Sequence, residues 1–258
     1  MSRIATIAIH TFKESARERV LYVLVAFALL LTGAGILFGT ISVGINEILL
    51  VNLGLSAISV FGLLIAIFIG ISLVSKEIER RTIYNVLSKP VERFEFILGK
   101  YLGLLLTLAV NTAIMTAGFY LALIWQKRQL GTQDLAPLEA IFFILLELAM
   151  AVGVALLFST LTTPVLSAVF TLSLYVIGNS LSDLRSLGEH SGGAAASAIL
   201  RFLSWVLPDF GVFGAISQAA HGELIPRYRL IANSLYAALY VTVLVSAAVL
   251  VFEEREFQ

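Results

Sequence analysis

Along the chain, long uninterrupted apolar runs alternate with short clusters of charge. The runs at 20–38, 49–74, 101–125, 138–158, 165–181 and 233–252 are each near the ~20 residues a helix needs to cross a hydrocarbon core. Each is predominantly apolar, as a helix surrounded by lipid or by other apolar helices must be. The pattern predicts an all-α, polytopic membrane protein with six transmembrane helices, forming one domain over residues 1–258.

Composition agrees: 59% of the 258 residues are hydrophobic and 13% charged, against ~45–50% and ~25% in soluble domains. The absence of Cys removes disulfide scaffolds and thiolate metal sites. Equal numbers of basic and acidic residues, 17 of each, give no field suited to nucleic acid.

Charge also orients the chain. The first apolar run is of spanning length, and the leader before it carries acids as well as bases, so it reads as a transmembrane helix and not as a signal peptide. With both termini inside, the N-terminal stretch, the segment 75–100 and the tail hold eleven of the 17 Lys and Arg residues, the bias expected of cytoplasmic segments. Residues 3–19 place Ile4, Ile7, Ala8, Thr11 and Phe12 on one side and Arg3, His10, Lys13 and Arg17 on the other. This spacing predicts an interfacial helix, with packing against a neighbouring span as the alternative.

The outer segment 182–232 is too long for a connector. It is expected to be re-entrant or interfacial, with a short helix over Ala194–Leu207 that carries Trp205 at headgroup depth and stops at Pro208. No internal repeat is visible, which weighs against an inverted-repeat carrier.

The inner segment 75–100 is built differently. Glu77 stands three and four residues before Arg80 and Arg81, so the second span can continue as a charged helix. Thr82 can cap a fresh turn, in which Ile83, Val86 and Leu87 fall on one face of a segment bathed in water. Pro90 then starts the helix that leads into the third span. A short helix with an exposed apolar face either folds back on its own protein or fills a partner's groove, and periodicity does not choose between them.

Three stretches resemble the ABC-2 type permeases, in particular the subgroup with gliding-motility and nitrous-oxide-reductase-maturation permeases. One is the series Glu77, Glu79, Thr82, Leu87, Ser88, Pro90, Arg93, Leu98, Gly99 and Lys100; the others are Phe158–Pro164, and Leu207-Pro208-Asp209-Phe210 with His221-Gly222. The ending Phe252–Phe257 is also similar to that of the family. Arg80 and Arg81 depart from its commonest pattern, in which small residues stand there. The resemblance implies a permease subunit in the inner membrane, paired with a second copy or a related permease and with two ABC ATPase subunits. These partners bind ATP and Mg, while this chain binds no cofactor. It also implies a coupling helix between spans two and three, docked through Glu77, Glu79, Thr82, Ile83, Tyr84, Val86, Leu87, Pro90 and Arg93. A membrane scaffold or mechanical-signal transmitter is the alternative function, and a channel or secondary carrier a further one.

Catalytic motifs are missing. Gly99-Lys100 has Phe94 where a phosphate-binding loop needs its first Gly, and Tyr101 where it needs Ser or Thr. No His-Glu-x-x-His or Gly-x-Ser-x-Gly occurs, and no metal site is expected. Glu147, in the middle of the fourth span, is costly there unless neutral, paired or facing water. Asn111 in the third span is the expected hydrogen-bond partner, and the functional alternative makes Glu147 and Asn111 part of a transport path. Gly35/Gly39 and Gly99/Gly103 have the spacing of close helix approach, a pattern that ~1–2 chance pairs would also produce at this Gly content.

The orientation has a direct test in a chain without Cys. Asn85→Cys should react with an impermeant maleimide only after the cells are permeabilised, and labelling of intact cells would reverse the assignment.

Overall fold

The computed structural model describes residues 3–41, 46–79, 93–127, 131–181, 184 and 206–254. They form eight α-helices: α1 (Arg3–Ser15), α2 (Arg19–Ile41), α3 (Asn46–Glu79), α4 (Arg93–Lys127), α5 (Ala136–Leu161), α6 (Pro164–Asn179), α7 (Ile216–Ala220) and α8 (Arg227–Glu254). Two single 3₁₀ turns, Thr132–Leu135 and Gly211–Phe213, stand in the connections. No strand occurs among the described residues.

Five helices, α2, α3, α4, α5 and α8, are long and apolar enough to cross a membrane. The expected crossing at 165–181 falls on α6, whose 16 residues extend only about 24 Å. At the end of α6, the segment that follows Val206 packs into the bundle beside Gly178.

Helices α3 and α5 make an extensive contact, and α5 is buried without interruption from Glu147 to Leu156. Small residues let the two axes approach. A β-carbon on Gly62 would lie 2.5 Å from Leu148 Cδ1, and one on Gly70 would lie 2.7 Å from Ala155 Cβ. Close packing of this kind drives helix association where lipid tails are as apolar as the side chains. The α5–α6 corner contains Phe158–Pro164. Pro164 opens α6, where its missing N–H costs nothing, and the Thr162 and Ser167 hydroxyls share a 2.9 Å hydrogen bond across the turn.

Helix α1 packs its apolar face against α4 and leaves Arg3, Thr6, His10, Lys13 and Arg17 exposed. The apolar face of this helix is thus occupied by a span. Arg3 pairs with Glu95 at 3.7 Å, Ile7 covers Gly99, and Thr11 covers Gly103. Each contact is four residues beyond the last on both helices, so α1 and α4 run parallel. The turn between α1 and α2 keeps near-helical bonding, with Ala16 N–H to Phe12 O at 2.8 Å and Glu18 N–H to Ser15 O at 3.0 Å. The path continues along α4, since Leu29 of α2 meets Gly118 and Gly39 faces Gln126.

The start of α1, the start of α4 and the end of α8 share one end of the bundle, as Arg3 on Glu95 and the stack of Phe96 on Phe252, 5.8 Å between centroids, demonstrate. Buried Lys100 lies there, 4.0 Å from Glu14 and over the Phe96 ring. At the opposite end Lys127 bonds both Glu47 and Asp134 at 2.8 Å, tying α3, α4 and the lead-in to α5.

Gly103→Leu should detach α1 and lower the unfolding free energy of the purified chain by about 1–3 kcal/mol, the usual cost of overpacking. Gly33→Ala is the control. Its β-carbon would meet nothing within 4 Å, and Ala favours helix over Gly by about 1 kcal/mol.

Candidate functional site

Of the twelve polar or charged side chains buried among the described residues, Glu147 is one of only three that ionise, and it is 7% exposed. Its neighbours along α5, from Leu148 to Leu156, are apolar and buried and offer its carboxyl group no side-chain donor. Tyr175 of α6 does: its hydroxyl donates to Glu147 Oε1 at 2.7 Å. Ser59 of α3 lies beside the same phenol, and three helices thus meet at the Tyr175 hydroxyl.

Asn111 is not the partner. Its amide donates to Thr107 O at 2.9 Å within α4. The reason is local, since Asn at a helical position can reach the carbonyl one turn back without crossing to another helix. Nearby hydroxyls behave alike, Thr107 bonding Gly103 O at 2.9 Å and Thr116 bonding Thr112 O at 2.7 Å.

The other face of Tyr175 meets the outer segment. The Phe210 ring packs on it with centroids 5.2 Å apart, and the Phe210 N–H donates to Gly178 O at 3.2 Å. Gly178 is required for this approach, because a β-carbon there would lie 2.6 Å from the Phe210 ring. Phe210 and Phe213 are both 1% exposed, and Phe213 sits edge-on to Phe143 of α5 at 6.0 Å. Helix α7 then packs on α3 and α5. It ends at His221-Gly222, where Gly222 adopts φ of 72° and donates to Ala219 O at 3.0 Å. That conformation suits Gly at a helix C-terminus, so this motif is a stop signal. The segment 206–226 is therefore folded into the bundle. The helix expected at Ala194–Leu207 lies almost wholly outside the described residues, as does Trp205.

A stripe on α8 holds this segment. Arg229, Asn233, Tyr236 and Tyr240 recur at helical spacing on one face, and every one of them bonds the segment's backbone. Arg229 donates to Gly214 O at 3.0 Å and Val212 O at 3.2 Å, and Asn233 to Val212 O at 2.7 Å. The Tyr236 hydroxyl accepts from Asp209 N–H at 2.9 Å, and the Tyr240 hydroxyl donates to Val206 O at 2.8 Å. From α5, Glu139 accepts the Ile225 N–H at 2.6 Å. Sequence reading took 233–252 as plain span and missed this stripe, although its three- and four-residue spacing is visible once the outer segment is known to need donors.

Of the docking residues expected at the inner end, Glu77 and Glu79 fall in the last turn of α3 and Arg93 opens α4. Thr82, Ile83, Tyr84, Val86, Leu87 and Pro90 lie outside the described residues. The ion cluster of Glu47, Lys127 and Asp134 lines an open cleft of about 300 Å³. Asp134 is fixed there by the Gly131 N–H at 2.6 Å as well as by Lys127. Among the described residues no three His, Asp or Glu side chains converge as a metal site.

The Tyr175 bond should be measurable. Tyr175→Phe is expected to cost about 0.6–1.7 kcal/mol, the range of interhelical hydrogen bonds in membranes, and to cost nothing further once Glu147→Leu has removed the acceptor. Equal penalties in both backgrounds, read from chemical unfolding in detergent, would deny the coupling.

No curated protein matches the chain. A family model does, over residues 5–257, and its description is ABC-2 family transporter protein. With nearly every residue matched and a helical bundle with five helices of spanning length, the chain is a multi-pass membrane protein that belongs to the ABC-2 transporter family.

Proposed function

We propose that this chain is the transmembrane permease subunit of an ABC transporter, moving an unidentified substrate through conformational change while partner subunits hydrolyse ATP. The family match over 5–257 carries this reading. Such a subunit has no catalytic residue of its own, and ATP with Mg belongs to the ATPase partners. A second permease, identical or related, completes the membrane part. The bilayer is the inner membrane, with both termini cytoplasmic.

The ATPase docks on the segment between α3 and α4. Glu77, Glu79 and Arg93 flank the coupling helix, and Ile83, Val86 and Leu87 supply its apolar face. Three such groups left in water are unfavourable by about 1.5–3 kcal/mol each relative to full burial, which favours a groove that covers them. The ends of α3 and α4 flank this segment directly, and α1 is clamped on α4 just above it, so a push at the dock reaches three helices. Glu147 belongs to the transport path. Its support is the burial of an ionisable group at the level where α3, α5 and α6 meet, since such groups in membranes are rare and mark pathways or relays.

Val86→Asp with Leu87→Asp should abolish co-purification of the ATPase subunits while the permease remains folded and membrane-inserted. Undiminished co-purification would remove this segment as the dock. With the intact complex reconstituted, substrate-stimulated ATPase activity supports transport. Activity indifferent to every co-purifying small molecule or lipid would instead favour a mechanical transmitter.

A further inference from the structure

The outer segment and the buried carboxyl group are joined through a single side chain. The Tyr175 ring stands between them, its hydroxyl on Glu147 at 2.7 Å and its face against Phe210 at 5.2 Å. The segment has further polar anchors on α8 and on Glu139 of α5. Toward α6 it offers the Phe210 ring and one backbone bond, from Phe210 N–H to Gly178 O. A displacement of the segment away from α6 would therefore uncover Tyr175 first, and a freed Tyr175 ring can swing its hydroxyl off the carboxyl group.

We propose that Tyr175 is the positioning residue through which the outer segment 206–226 controls the access of water to Glu147. The segment acts as an outer stopper, Phe210 as its tip, and Tyr175 as the latch that keeps Glu147 bonded and dry while the stopper is seated. This rests on the reading of Glu147 as part of the transport path, and it identifies what opens that site from the outer end. The direction of control follows from the packing. Among the described residues Tyr175 has no second ring contact of this closeness, whereas Phe210 keeps its neighbours on α8 through Asp209 and Val212.

The test uses the purified full chain in lipid nanodiscs, with no ATPase present. A water-soluble carbodiimide and a small amine convert an accessible carboxyl group to an amide, and mass spectrometry of the peptides reads Glu147 against exposed Glu47. Native Glu147 should react far more slowly than Glu47. Phe210→Ala should raise its rate by about fivefold or more, the order expected for freeing a group held by one intramembrane hydrogen bond. Tyr175→Phe should do the same, and the two together should give no more than Tyr175→Phe alone. Phe213→Leu, which loosens the segment at Phe143 and Tyr236, should leave Glu147 slow. An unchanged rate in Phe210→Ala, multiplying effects in the double variant, or an equal rise in Phe213→Leu would each overturn the proposal. If Phe210→Ala is not recovered folded, Phe210→Leu with the same readout replaces it. Because no partner is needed, a negative result here stands apart from any failure of the transport assay.

Discussion

A hydrocarbon surrounding offers no hydrogen bonds, so every polar group that enters it must find a partner inside the protein. Helices meet this condition for their own backbone. Hydroxyls on the helices meet it by bonding the carbonyl three or four residues back, as Thr11's neighbour Ser15, Thr32, Thr107, Ser159 and Thr171 all do. Two exceptions to local satisfaction shape much of the rest of the molecule. One is the irregular backbone at 206–214, where the Val206, Val212 and Gly214 carbonyls and the Asp209 amide are served by side chains from α8. The other is Glu147, whose carboxyl group cannot bond its own helix backbone, which has no free N–H at mid-length. It must therefore recruit a donor from another helix.

The same constraint explains which parts of the fold were legible in the sequence. Apolar runs locate spans because hydrocarbon excludes charge, and the helices begin and end within a few residues of those runs at α2 and α5. At α3, α4 and α8 they extend further, since a helix does not stop where lipid stops. Glu77 and Glu79 still belong to α3, and Arg93 to Leu98 already belong to α4. The Glu147 partner was not legible, because it depends on the rotation of α6 against α5. That rotation is set by the Thr162 to Ser167 corner and by glycine contacts between elements far apart in sequence. The Gly99/Gly103 spacing correctly marked a close approach but could not name α1 as the helix that fills it.

The α8 stripe illustrates a signal that was present and missed. Arg229, Asn233, Tyr236 and Tyr240 are amphipathic residues on one face of a helix otherwise rich in Leu, Val and Ala. Tyr brings an apolar body with a polar tip and fits a boundary between lipid and backbone. Such a stripe is meaningful only when an irregular segment lies within reach. The pattern of apolar runs alone treats everything between two spans as external, so the two observations were never brought together.

Helix α8 also joins the two ends of the bundle. Its first half holds the outer segment through four side chains, and its last turn places Phe252 on Phe96 at the root of α4. Helix α4 carries α1 along its first turns and α2 along its later ones, so a tilt at its root moves the apolar exposed faces of both. A rigid helix transmits such a tilt without needing a chain of rearranging side chains, because its ends are fixed to each other by backbone bonds. The outer anchor is made of hydrogen bonds from flexible side chains, while the inner one is a packed aromatic pair. The contact with more freedom is therefore the outer one. A shift of α8 begun near α4 would reach this segment through its anchors, and under the proposed latch it would be taken up at the junction of Phe210, Gly178 and Tyr175.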